Sequence, residues 1–363
     1  MLTALGVVVL GAVCAGVQWG ANVGYDSALE SFEHAAGDAG SSQTQLGEAL
    51  TALTETTDAA TSIRDADTGN LMDGAARDAF STAVDDAMDA EADADALAGR
   101  PLPRADQKPA WAWELFGETA ELNEDRDAVA EQHDRFDSAR ADLSAASDAV
   151  QQSGVAALHS AAGAAAAFEA AHVSARNVDI VALRSAAEWL NGAAMLDASA
   201  ADAYIDLETA AVAMLSSEQE ELAEKQGALY QARVEIEAFA RGLAPEVLLD
   251  FDWSQIVNGF GEAGSMAGYA TWWYGDPGYA NIELSNSVAE QWPGDRSKAL
   301  VAHEVGHAIS VKCEGMYDDS NQDTIEAWAT AWAISMGFTD VANGTSAYGA
   351  PPQSMIDAAA GCR

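Results

Sequence analysis

Two columns of apolar residues recur every seven positions: Leu115, Leu122, Val129, Phe136, Leu143 and Val150, then Leu215, Leu222, Leu229, Ile236 and Leu243. A seven-residue repeat keeps one stripe of a helix turned toward a partner, so each column predicts a coiled-coil seam. Between them lies Ala156 to Ala171, where small side chains permit close helix contact, and Asn191-Gly192 offers a turn. A folded-back helical hairpin is therefore expected. Arg100-Pro101-Leu102-Pro103 and Pro109 interrupt any helix and set off a weaker segment carrying Leu46, Leu50, Leu53, Ile63, Phe80, Val84 and Met88. Residues 25–243 are read as an acidic helical stalk, its seams closed within one chain or between copies in a homo-oligomer.

The charge narrows the partners. Lys+Arg 17 against Asp+Glu 58 leaves −41, which repels phosphate backbones and argues against nucleic acid. The acids are spread along the chain, so they form a solvated surface and not a tail. With 49% hydrophobic residues the chain can bury cores, which excludes global disorder.

From Leu2 to Trp19 the only polar side chains are Thr3 and Gln18. Eighteen such residues are long enough for a thin hydrocarbon core, and residues 1–24 are read as a transmembrane helix that anchors the chain in a membrane. A cleaved signal peptide competes, with Val13-Cys14-Ala15 as its small-residue site, but no basic residue precedes the apolar run. Of three cysteines, Cys14 sits in that run, which leaves Cys313 and Cys362 as the natural disulfide pair; the competing reading is two free buried thiols. Their loop spans 49 residues (362 − 313) and would add about 4 kcal/mol of stability. The apolar start, the cysteine pair and the scarcity of lysine together suggest a single-pass cell-membrane protein with its C-terminal domain outside the cytoplasm.

After Pro245 tryptophan and glycine become dense, and β-type runs occur at 269–274 and 279–284 with the turn signal Asp276-Pro277-Gly278 between them. Helices are expected over Ser297 to Ser310 and Asp323 to Met336. Residues 244–363 thus form a compact α+β domain, and the whole chain is of α+β class.

The first of those helices reads His303-Glu304-Val305-Gly306-His307. Positions i and i+4 differ by about 40° around a helix, so both imidazoles leave one face and can bind one ion, while Glu304 can reach a water on it. Chance placement of 6 His and 26 Glu in 363 residues gives on the order of 0.01 such motifs. The apolar flanks Ala299 to Ala302 and Ala308-Ile309 suit a buried helix.

This motif resembles that of the zincin metallopeptidases. The metzincin branch continues with glycine and histidine where this chain has Ser310 and Cys313, so its usual form is excluded. Past Pro245 there is no further histidine, so a third protein ligand from this domain must be a carboxylate or thiolate. Glu326, 19 residues after His307 on the next helix, looks like the gluzincin arrangement; Cys313 and Asp319 are lesser candidates. Where gluzincins often carry an acid that orients a histidine ligand, this chain has Thr330, and a backbone carbonyl or Asp323 could take that part.

The resemblance implies one Zn²⁺ held by His303, His307 and Glu326, Glu304 as general base, and a peptide or protein substrate. A transition-state donor would come from Tyr317 or Tyr348, each of which also suits packing. The substrate is expected along a strand edge, for which residues 279–284 are the candidate, with Trp272, Trp273, Trp292, Trp328 and Trp332 available to a subsite or, for the last two, to the core. The alternative function is a non-catalytic envelope coiled-coil protein whose zinc domain is structural or binds a partner; it has no use for Glu304.

Overall fold

The computed structural model describes residues 2–275 and 278–363, with side-chain burial from residue 12 onward. Among the described residues the chain is mostly helical and its one sheet has three strands, so the α+β class expected for the whole chain does not hold; it divides into two compact units, residues 1–163 with 189–205, and residues 164–188 with 206–363.

The first unit is built on α1 (Leu2–Ala66), α2 (Gly74–Ala98) and α3 (Ala112–Ala171, as far as residue 163), with the end of α4 (Asn177–Asn191). All six members of the first heptad column are buried. Their partner is α1, where Tyr25, Phe32, Ala39, Leu46, Leu53 and Ala60 form a second buried column of the same period. Tyr25, Phe32 and Ala39 share one apolar cluster with Leu115, Leu122 and Val129. The break after residue 98 falls at the expected prolines.

Two expectations for the helical part fail. Leu215, Leu222, Leu229 and Leu243 are only half-buried, and Ile236 alone of that column is fully enclosed. The chain there breaks between α5 (Ala198–Glu224) and α6 (Tyr230–Leu243), and Gly227 turns it at φ +116. Burial instead follows Leu207 and Met214, one residue earlier, so the second column is not a coiled-coil seam. Nor does the N-terminal transmembrane helix hold: among the described residues no helix is long and apolar enough to cross a membrane. The apolar run is the start of the 65-residue α1, which continues unbroken and, from Ala21 onward, turns its apolar stripe inward against α3. The side chains of residues 1–11 lie outside the described residues.

In the second unit three strands, β1 (Leu248–Ser254), β2 (Gly268–Trp273) and β3 (Tyr279–Ser285), form a sheet in the order β1-β3-β2. β2 and β3 are antiparallel with Trp273 opposite Tyr279, as a hairpin requires; of its expected turn, Asp276-Pro277 lies outside the described residues. β1, which alternation did not reveal, pairs parallel to β3. Residues 279–284 are therefore the central strand, hydrogen-bonded on both sides, and cannot receive a substrate; the edges are β1 and β2.

Against this sheet lie α7 (Asn286–Glu290) and α8 (Asp295–Ala308), followed by α9 (Gln322–Ser335), α10 (Thr345–Tyr348) and α11 (Gln353–Ala359). Phe251, Ile282, Leu284, Val301, Val305, Trp328 and Trp332 join in one core. Burial of this apolar area is the main force holding α8 and α9 to the sheet. Cys313 and Cys362 form the expected disulfide, and Trp332 Nε1 donates to the Cys362 carbonyl at 2.9 Å beside it. Cys14 is free and exposed.

Candidate metal centre

Every residue of α8 from Ala299 to Ala308 is buried, which fixes the rotation of the helix and with it the direction of the two imidazoles. α9 begins at an Asn321 cap, whose side chain accepts from Asp323 N at 2.9 Å, and one turn later presents Glu326. Gly306 lets the two helices meet: a Cβ there would lie 2.7 Å from the Ala329 carbonyl oxygen and 2.9 Å from its Cα. Such distances are below van der Waals contact, so a larger residue would force α9, and Glu326 with it, away from α8.

The result is a triangle. His303 Nε2 and His307 Nε2 are 3.2 Å apart, and Glu326 Oε2 is 3.2 Å from the first and 3.3 Å from the second. His303 Nδ1 lies 3.0 Å from the Asn343 carbonyl, which can only accept, so Nδ1 carries a proton and the neutral ring presents a lone pair at Nε2. That lone pair faces a carboxylate oxygen that can also only accept. Lone pairs opposed at this distance repel unless a cation sits among them. Ligands held tetrahedrally at about 2.0–2.1 Å from zinc would themselves be about 3.3 Å apart, so the observed triangle fits that ion. Gln322 Nε2 occupies the other oxygen of Glu326 at 2.8 Å, which turns Oε2 inward.

The electrostatics agree with a shared charge. Burial pulls the Glu326 carboxyl upward, but the His303 and His307 imidazoles beside it outweigh that and hold the group well below the usual carboxylate range. Burial pushes the His307 imidazole down. Trp272 stacks on His307 with ring centroids 5.6 Å apart and planes 10° from parallel, and Tyr348 stacks on His303 at 5.8 Å and 13°.

Glu304 stands beside the triangle, buried, with its carboxyl against the backbone of Gly268; a Cβ on that glycine would lie 2.5 Å from Glu304 Oε1. Burial, with Glu326 nearby and against the pull of His303, pushes this carboxyl up to about 7. The triangle and Glu304 open on a cleft of about 290 Å³ whose walls include β2, Gln322, Ile325 and Tyr348. Compared with known proteins, the chain matches no family model, no curated protein and no solved structure. The geometry therefore stands alone.

The structure brings His303, His307, Glu326, Glu304 and Tyr348 together and leaves the other candidates elsewhere. Tyr317 stacks on Trp328 at 4.7 Å and does not line the cleft, because that ring fills the core side of α9. Cys313 is tied in the disulfide, and Asp319 accepts from Tyr274 at 3.1 Å outside the triangle. Thr330 Oγ1 gives its stronger bond to the Glu326 carbonyl at 2.8 Å and lies 3.4 Å from His303 Nδ1, so the Asn343 carbonyl is what orients the imidazole. Of the five tryptophans only Trp272 lines the cleft; Trp328 and Trp332 are core, Trp273 stacks on Tyr279, and Trp292 packs on Phe239. Gln322, four residues before Glu326, is a further site residue, and its i, i+4 spacing is its one signal in the sequence. Asn343 acts through its backbone, so its side-chain identity carried no signal.

Proposed function

We propose that the chain is a zinc-dependent peptidase that hydrolyses peptide bonds in the cleft beside β2. The observation that carries this reading is the convergence of His303 Nε2, His307 Nε2 and Glu326 Oε2 at 3.2–3.3 Å, with Glu304 next to them in an open cleft. Among the described residues the potential ligand group has three members, and three protein ligands suit a catalytic zinc, whereas structural zinc is normally enclosed by four.

A zinc ion held there would supply Lewis acidity, polarising the scissile carbonyl and making a water acidic near neutral pH. Glu304 takes the proton of the attacking water and delivers it to the departing amine. Burial, with Glu326 and Glu304 beside it, pushes the Tyr348 hydroxyl up to about 12, so it stays protonated and can donate a hydrogen bond to the carbonyl oxygen as that atom gains charge. At the end of β2, Ser285 N donates to Ala267 O at 2.9 Å; antiparallel alternation then directs the backbone groups of Gly268, Ala270 and Trp272 to the outer edge, where an extended peptide can pair.

The test is Glu304→Gln in zinc-loaded protein. The variant should keep its zinc and lose about 10²–10⁴-fold in peptide hydrolysis, the usual worth of a general base. Undiminished hydrolysis would refute the role of Glu304, and zinc binding without hydrolysis by the parent protein would favour the structural alternative.

A further inference from the structure

Resting on the peptidase reading, we propose that the cleft cleaves bonds inside an extended chain and does not trim residues from chain ends. β2 passes the reacting centre from one side to the other. Its first residue, Gly268, lies against the Glu304 carboxyl, and its fifth, Trp272, is stacked on His307. The outward backbone groups of Gly268, Ala270 and Trp272 span about 13 Å at ~3.3 Å per residue. A peptide paired along that edge therefore has chain on both sides of a bond held between Glu304 and His307.

The charges in the cleft point the same way. Its charged or ionisable lining groups other than tyrosine are His303, Glu304, His307 and Glu326. Three of these face one another in the triangle, with the second oxygen of Glu326 taken by Gln322, and the fourth is packed on Gly268. The rest of the described lining, including Asn258, Tyr269, Thr271, Gln322 and Ile325, is neutral. A terminal ammonium or carboxylate drawn into this cleft would give up water and find no opposite charge apart from the reacting centre itself. The uncharged interior of a peptide loses nothing comparable and gains the β2 edge.

The experiment uses the full chain loaded with zinc and a twelve-residue peptide in two forms, one with free ends and one N-acetylated and C-amidated, with products identified by mass. Both forms should be cut at the same internal bond at rates within about threefold. N-methylation of single peptide nitrogens, placed in turn on either side of that bond, should lower kcat/KM about tenfold at positions facing β2 on both sides, the effect of one lost hydrogen bond. Removal of one or two residues from the free-ended peptide only, or sensitivity to N-methylation on one side only, would overturn the inference and leave the peptidase reading standing. Failure of the zinc-loaded protein to cut either form would overturn both.

Discussion

Gln322 donates from Nε2 to Glu326 Oε1 at 2.8 Å, one helical turn before it, and by engaging that oxygen leaves Oε2 as the one aimed at both imidazoles. Such outer partners of a metal ligand are typically worth 10–100-fold in affinity. Gln322→Ala should therefore weaken zinc binding by about tenfold or more, measured by competition with a chromophoric chelator, while the thermal midpoint of the metal-free protein stays within about 2 °C.

Gly306→Ala tests whether the contact of α8 with α9 sets the ligand geometry. The added Cβ meets backbone, 2.7 Å from the Ala329 oxygen, so no side-chain rotation can relieve it. The expected cost is about 1–3 kcal/mol by urea unfolding, together with weakened zinc binding. Full stability with unchanged affinity would show that the helices can part without moving Glu326.

A buried charge cluster lies in the same unit. Lys225 Nζ is 3.1 Å from Glu237 and 3.4 Å from Glu221, and the Lys225 and Glu237 side chains are 3% and 2% exposed. Arg176 pairs with Glu221 at 2.9 Å, and Trp253 Nε1 donates to Glu237 at 3.0 Å. Removing the lysine would leave Glu221 with Arg176 and the enclosed Glu237 with Arg241 at 3.4 Å, each short of its nearest buried cation. Lys225→Met should cost about 3–5 kcal/mol by urea unfolding.

Asp250 on β1 accepts from the backbone N of Asn177 with both oxygens, at 2.9 and 3.1 Å. Burial, reinforced by Glu221 and Asp252 and opposed by the Asn177 bond and by Arg241, pushes its carboxyl up to about 7. Between the unfolded value near 4 and about 7 the folded state thus holds a proton that the unfolded chain has released. The favourable contribution is present on the acid side and is lost as pH rises through the folded pKa, with a slope of at most ~1.4 kcal/mol per pH unit. Urea midpoints recorded from pH 4.5 to 7.5 should show this dependence in the parent protein and a flatter profile in Asp250→Asn.

What could be read from the residues alone was whatever a local period determines. His303 and His307 share a face because 3.6 residues make a turn, and Leu115 to Val150 are buried because seven make two. Local period also misled. The leucines from 215 to 243 have heptad spacing, but Gly227 interrupts the helix, and the true partner stripe on α1 was concealed by a tyrosine and two alanines at Tyr25, Ala39 and Ala60. The placement of β3 between β1 and β2 depends on pairing between distant segments, which alternation within one strand does not encode. The apolar start of α1 satisfied a length rule without revealing that the same helix turns inward from Ala21.

The central claim is that His303, His307 and Glu326 hold one zinc ion at a site whose fourth position serves chemistry. The most direct measurement is zinc per chain, by elemental analysis after dialysis, in the parent protein and in His307→Ala, Glu326→Ala and Glu304→Gln. The account predicts one zinc in the parent and in Glu304→Gln, and strongly reduced zinc in the two ligand variants. Full zinc in Glu326→Ala, or none in the parent, would contradict it.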